Sequence, residues 1–375
     1  MQNATAKSKR ILSFDLLRGW AILLILLYHI FLFFLDKNIL SKPTGYIENF
    51  SRFKSLLGYF LASGYQGVHL FLIISGFLLT LSTSKKNYSL LDFYKKRLKR
   101  ILVPFYPVWL LSIILIFLAA TLPFFKNFNT FLKLDVALKT LFFPLYFDFR
   151  SSVLSQVNRA WWFLPLILEL YIIFPFLSTI QKKVSTNTFI ILTFLVTIHY
   201  RLLATFLLKG SPIGVVAATS GGSIPFIFFP ARLFEFCLGM SLARIYLKDQ
   251  SMFKKLSSPF HFFMGFLFQL VGTVATFYQP FWIVSDPLIA IGMFLLGINI
   301  VSMLRKVKPL AKALVSLGNL SYPLYLIHYL LLIKFLLPFL KLEYGKIIYL
   351  SFLPLYFAIL IGLSKIVQAV DKKFN

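Results

Sequence analysis

The chain has 375 residues, 59% of them hydrophobic and only 14% charged, whereas a soluble domain carries about 25% charged residues; that composition excludes an ordinary soluble enzyme. The net charge of +27 does not signal nucleic-acid binding, because the basic residues fall in short segments between apolar runs, where they set topology and attract anionic lipid. Cys237 is the only cysteine, which excludes an intrachain disulfide, and its apolar surroundings give it a packing role.

Apolar runs of about 20 residues, the length of a helix crossing a bilayer, recur along the whole chain. They predict spans at 11–35, 57–82, 101–122, 160–180, 188–208, 225–247, 259–278, 284–304, 313–340 and 346–370. The expected fold is therefore all-α, a polytopic transmembrane bundle of about ten spans. One integral membrane domain covers 1–375, with no internal repeat and no added soluble segment. The first run follows Lys7, Lys9 and Arg10 as a signal sequence would. It also carries Asp15 and Arg18 and lacks a small-residue cleavage site, so a retained first helix is expected. The segment "VALKTLFFPLYFDF" at 136–149 is short and contains Pro144 and Asp148, which suits a re-entrant or interfacial piece. Leaving it out of the count places most short basic loops on one side, with the N- and C-termini both cytoplasmic; the longer loops at 36–56 and 123–159 carry some basic residues on the other side.

Ionisable residues inside such spans are costly and point to function or to helix-locking pairs. In chain order the first are Asp15, Arg18 and His29, within "FDLLRGWAILLILLYH". Arg18 and His29 are eleven residues apart, three turns plus about 20°, so they share a helix face with roughly 16 Å of rise between them. Asp15, three residues before Arg18, joins that face. His29 ends an otherwise apolar stretch, and an imidazole transfers protons near neutral pH. For His29 the functional reading outweighs the structural one.

"GYQGVHLFLIISGFLLT" at 64–80 brings His69 and the small residues Gly67, Ser75 and Gly76, which permit close helix packing. "KKRLKRILVPFYP" at 95–107 sets Arg97 and Arg100 on one face at the cytoplasmic start of the third span. Two guanidinium forks there suit phosphate, though ordinary topology-setting charge is the plainer explanation. "WWFLPLILELYIIFP" supplies Glu169, "ARLFEFCLGM" supplies Arg232 and Glu235, and "LGNLSYPLYLIH" supplies His328 after a helix break at Pro323. A structural ion pair and a functional role weigh equally for Arg232 and Glu235. His199 and His261 lie near span ends and read as interfacial. No histidine, cysteine or carboxylate spacing suits a metal.

Five of these phrases, in this order, resemble the acyltransferase-3 family of integral membrane O-acyltransferases: the Arg18-to-His29 signature, "GVHLFLIISGFLL", "RLKR", "WWFLPLILELYIIFP" and "LGNLSYPLYLIH". The resemblance spans nearly the whole chain. His69 departs from the acidic or other polar residue that many relatives carry after the Gly–Val pair. Members often bear an extra hydrolase-like domain, and these residues match the stand-alone form.

The resemblance implies acyl transfer, usually of acetyl from acetyl-CoA. The acceptor would be a hydroxyl of an extracytoplasmic glycan such as lipopolysaccharide O-antigen or capsule. It also implies a multi-pass protein of the cytoplasmic (inner) membrane. On that reading Arg97 and Arg100 hold the phosphates of acyl-CoA, Arg18 and Asp15 lead the donor toward His29, and His29 is the expected general base, with a transient acyl-histidine as the alternative. Glu169, Arg232, Glu235 and His328 remain further polar candidates. The expected partners are the bilayer, the acyl-CoA donor and the glycan, with no metal cofactor and no nucleic acid; the oligomeric state is left open. The competing class is a transporter or flippase of a glycan or lipid using the same buried charges as a path. A purely structural subunit is a third class.

Overall fold

The computed structural model describes residues 12–35, 63–84, 88–121, 139–141, 157–212, 222–336 and 344–374. These are helical, and the described residues form no β-sheet beyond a lone bridge between Gly210 and Gly222. The principal helices are α1 (Leu12–Leu35), α2 (Gly67–Thr83), α3 (Leu90–Thr121), α4 (Phe163–Lys183), α5 (Thr186–Leu202) and α6 (Leu233–Lys248). They continue with α7 (Pro259–Ala275), α8 (Trp282–Leu304), α9 (Lys308–Asn319), α10 (Ser321–Leu331) and α11 (Gly345–Phe374).

Where its residues are described, every apolar run read from the sequence is largely helical, but the runs are not equal. Seven of the described helical stretches are long and apolar enough to cross a membrane: Leu12–Phe31, Ser63–Thr83, Leu90–Leu115, Ala160–Lys183, Thr186–Leu207, Gln279–Leu304 and Gly345–Phe374. The other three expected spans differ. The run at 225–247 is broken into short turns before α6 begins. The helix at 259–278 is the shorter apolar α7. The run at 313–340 is two helices meeting at Leu320, so the break precedes Pro323 rather than falling on it. Pro323 sits in the first turn of α10, where a missing N–H costs nothing. Of the segment at 136–149, only 139–141 lies within the described residues, and it is helical.

The helix ends follow local chemistry. Ser185 Oγ accepts the Thr188 N–H at 3.1 Å to start α5, and Ser258 Oγ accepts the His261 N–H at 3.3 Å to start α7, with Pro259 next. Arg244 donates to the carbonyls of Gln181 and Val184 at the C-terminal end of α4, where unpaired carbonyls and the dipole favour a cation.

Two glycine pairs let helices touch backbone to backbone. A Cβ on Gly76 of α2 would overlap the Phe236 carbonyl of α6, and one on Gly239 of α6 would overlap the Ile73 carbonyl of α2. The same reciprocity joins α1 and α9, where Gly19 faces Leu314 and Gly318 faces Asp15. The core has two main parts. One gathers α1, α2 and α8 around the stacked rings of Phe14 and Phe77, 3.8 Å apart. The other gathers α3, α4, α10 and α11 around Trp161 and Phe105, 5.0 Å apart. Outside these cores the surface is strongly apolar: Phe117, Phe176 and Phe260 are each 67% exposed. Buried charge inside and bare aromatic surface outside is the arrangement a bilayer solvates.

Candidate active site

α1 is an unbroken helix from Leu12 to Leu35, so the shared face of Asp15, Arg18 and His29 is real. Near its start Asp15 is buried and pairs with Arg18 Nη1 at 3.6 Å. Gly318 presses on the backbone of Asp15, which ties this end of the face to α9.

His29 Nδ1 lies 2.9 Å from the Ile25 carbonyl. A carbonyl can only accept, so Nδ1 carries a proton, and in the neutral ring Nε2 presents a lone pair. His29 is half-buried, and Nε2 makes no hydrogen bond among the described residues. The sequence set His328 apart as a separate candidate, three hundred residues away. The fold puts its ring against His29, with centroids 4.9 Å apart and the planes inclined at 62°. His328 is fully buried, and its Nδ1 donates to Tyr325 O at 2.8 Å and Leu324 O at 3.1 Å. Its Nε2 is buried with no hydrogen-bond partner. Tyr329 stacks edge-on to His29 at 5.3 Å, and Tyr28 does so from the neighbouring position at 5.0 Å.

The helix that carries His328 is firmly held. Asn158 Nδ2 and Trp161 Nε1 both donate to the Leu326 carbonyl at 3.0 Å. The Tyr356 hydroxyl donates to His328 O at 3.0 Å, and the Tyr322 hydroxyl donates to Ile101 O at 2.8 Å. The Tyr349 hydroxyl donates to Ile30 O at 2.8 Å, fixing α1 beside His29.

Arg232 and Glu235 belong to a different cluster, where the sequence reading was incomplete. They pair at 3.3 Å. Arg232 also reaches Asp286 Oδ2 at 2.7 Å, and Arg201 reaches the same oxygen at 2.5 Å. His69 completes the group, with Nδ1 3.3 Å from Glu235 Oε1 and Nε2 3.8 Å from Asp286 Oδ1. All five side chains are buried. Arg201 makes further bonds to the Trp282 and Ile283 carbonyls and lies 4.6 Å above the Phe226 ring. Two guanidinium groups facing two carboxylates cancel in charge with His69 neutral, the condition for keeping such groups out of water. The cluster binds α2, α5, α6 and α8 together. Arg201 and Asp286 were missed in the sequence because each is a single charge near a span end, and their partners lie on other elements, 85 residues apart for Arg201 and Asp286 themselves.

Glu169 stands apart from both clusters. It is half-buried on α4 and accepts the Phe229 N–H at 2.9 Å, capping the broken turn before α6. Arg97 is half-buried, donates from Nη2 to Ser82 Oγ at 3.3 Å and lies 5.6 Å from the Phe93 ring centre. Its Nε is buried with no hydrogen-bond partner. Arg100, one turn on, is exposed. His199 and His261 bond locally to Leu195 and Ser258 at helix ends and join neither cluster. Among the described residues no group of histidine, cysteine and carboxylate side chains is placed to hold a metal.

This geometry offers an imidazole whose Nε2 is unbonded among the described residues, on a helix whose other end bears an arginine, and a separate arginine pair at the start of α3. No curated protein and no solved structure matches the chain. The family model Acyl_transf_3, an acyltransferase domain, matches residues 11–367. The match takes in both histidines, both arginine positions and the buried charge cluster, and with it the chain belongs to the acyltransferase-3 family of membrane acyltransferases.

Proposed function

We propose that the protein moves an acyl group, usually acetyl, from acyl-CoA on the cytoplasmic side to a hydroxyl of an extracytoplasmic glycan, and that His29 is the general base. The observation that carries this reading is the placement of His29: Nδ1–H is spent on Ile25 O, and Nε2 has no hydrogen-bond partner among the described residues at a half-buried position.

In the reaction Nε2 takes the proton of the acceptor hydroxyl as its oxygen attacks the thioester carbonyl. The tetrahedral intermediate expels the CoA thiolate, and the proton passes from Nε2 to that sulfur. The products are an O-acyl ester and free CoA, with His29 restored. A positioned base of this kind contributes about 10²–10⁴-fold. Arg97 and Arg100 hold the CoA phosphates through charge-assisted bonds. The unpartnered Nε of Arg97 supports that assignment. Arg18, steered by Asp15, meets the donor along α1. Ten crossings, with both termini cytoplasmic, in the cell's inner membrane, complete this reading. The test is mass spectrometry of surface glycans from cells with and without the protein. Loss of an acetyl increment in its absence is expected; an unchanged glycan profile contradicts the proposal.

A further inference from the structure

His328 is left unused by that mechanism, and its state is unusual. Its tautomer is fixed, because two carbonyls take the Nδ1–H. Its Nε2 is shut away from solvent with nothing to bond. A buried acceptor without a donor is a standing cost, and a phenylalanine would fill the same space without it. The ring nevertheless lies in contact with His29, and at 4.9 Å between centroids no other side chain fits between them.

We propose that His328 is a positioning residue for His29, its unspent Nε2 lone pair stabilising the positive charge that His29 gains on taking the acceptor's proton. The inference rests on the acyl-transfer reading above. His328 keeps its own proton on Nδ1 throughout; the only proton that moves goes from the acceptor hydroxyl to His29 Nε2 and on to the CoA sulfur. In a site away from water the attraction between a fixed lone pair and a new charge is strong. The hydrogen bonds from Asn158, Trp161 and Tyr356 to the backbone around His328 hold the ring in place for this. Among the described residues the titratable groups around the pair are tyrosines: Tyr28 on α1, with Tyr65 beyond it, Tyr325 and Tyr329 on α10, and Tyr349 and Tyr356 on α11. Neither histidine has an ion pair among the described residues, so no described carboxylate performs the role assigned to His328.

The sign follows directly. Taking the lone pair away makes the imidazolium of His29 less stable, so His29 titrates at lower pH and becomes a weaker base. Diethyl pyrocarbonate modifies only neutral imidazole, and the pH dependence of its reaction at His29, read from the modified peptide by mass spectrometry, follows that titration without turnover. In His328→Phe the curve is expected to move down by at least about half a pH unit, and acyl transfer at saturating substrates to fall by about threefold or more. His328→Gln, which keeps an acceptor atom, is expected to recover part of both. A His29 curve that does not move in a folded His328→Phe protein overturns the inference, even if the rate falls. If that variant does not fold, ¹⁵N spectra of the wild-type protein decide: the His328 Nε2 resonance is expected to shift as His29 titrates, and a resonance that stays fixed overturns the inference. Both readouts work whether or not transfer occurs, so an inactive wild-type protein would sink the acyl-transfer reading separately.

Discussion

Two of the molecule's buried polar clusters are built differently. In the Arg201–Arg232–Glu235–Asp286–His69 cluster, each charge has an opposite charge within 3.3 Å, and the guanidinium groups are further spent on backbone carbonyls. Only Glu235 Oε2 is left over. In the His29–His328 pair, each ring spends one nitrogen on its own helix backbone and leaves the other unbonded. The first arrangement is saturated and fastens four helices. The second keeps lone pairs in reserve, which a lock does not need and proton transfer does. The contrast separates two classes of buried polar residue that look alike in sequence.

The sharpest way to break this comparison is to truncate one member of each cluster. His29→Ala is expected to lower acyl transfer by about 10²–10⁴-fold while thermal unfolding and expression stay near wild type, because it removes a polar group from an apolar helix. Asp286→Ala is expected to do the reverse. It strands two buried arginines at a cost of about 3–5 kcal/mol, seen as a large fall in unfolding temperature, with transfer per folded molecule little changed. If Asp286→Ala leaves stability intact, the cluster is not a lock.

The two arginines on α3 sharpen the account at the donor end. Arg97→Ala or Arg100→Ala is expected to raise the apparent KM for acyl-CoA about tenfold, the value of one charge-assisted bond, with the acceptor KM unchanged. Lysine restores only part, since it lacks the planar fork. An unchanged donor KM in proteoliposome kinetics would place the CoA phosphates elsewhere. The last test lies in packing: Gly239→Ala drives a methyl group into the Ile73 carbonyl, for about 1–3 kcal/mol, measurable by thermal unfolding with no change in KM for either substrate.

Much of this was legible in the sequence because it depends on spacing within one helix. The face shared by Asp15, Arg18 and His29 needs only 3.6 residues per turn, and the helix positions need only apolar run length. What was not legible depends on contacts between distant helices. Nothing local tells that His328 meets His29 rather than standing as a rival base, or that Asp286, beside Pro287 at the start of α8, collects Arg201 and Arg232. His69 read as a departure from the family phrase, and its partners Glu235 and Asp286 are supplied by other helices. The break at Leu320 was foreseen from Pro323 but displaced by three residues, because proline is accepted within a first helical turn and the chain turns before it.

The central claim is acyl transfer itself, and the most direct measurement uses purified protein in proteoliposomes with isotope-labelled acetyl-CoA and a panel of hydroxyl-bearing glycans. The account predicts labelled acetyl ester on a glycan and stoichiometric release of free CoA. Glycan or lipid carried across the bilayer with no label attached and no CoA released would contradict it, and would favour transport instead.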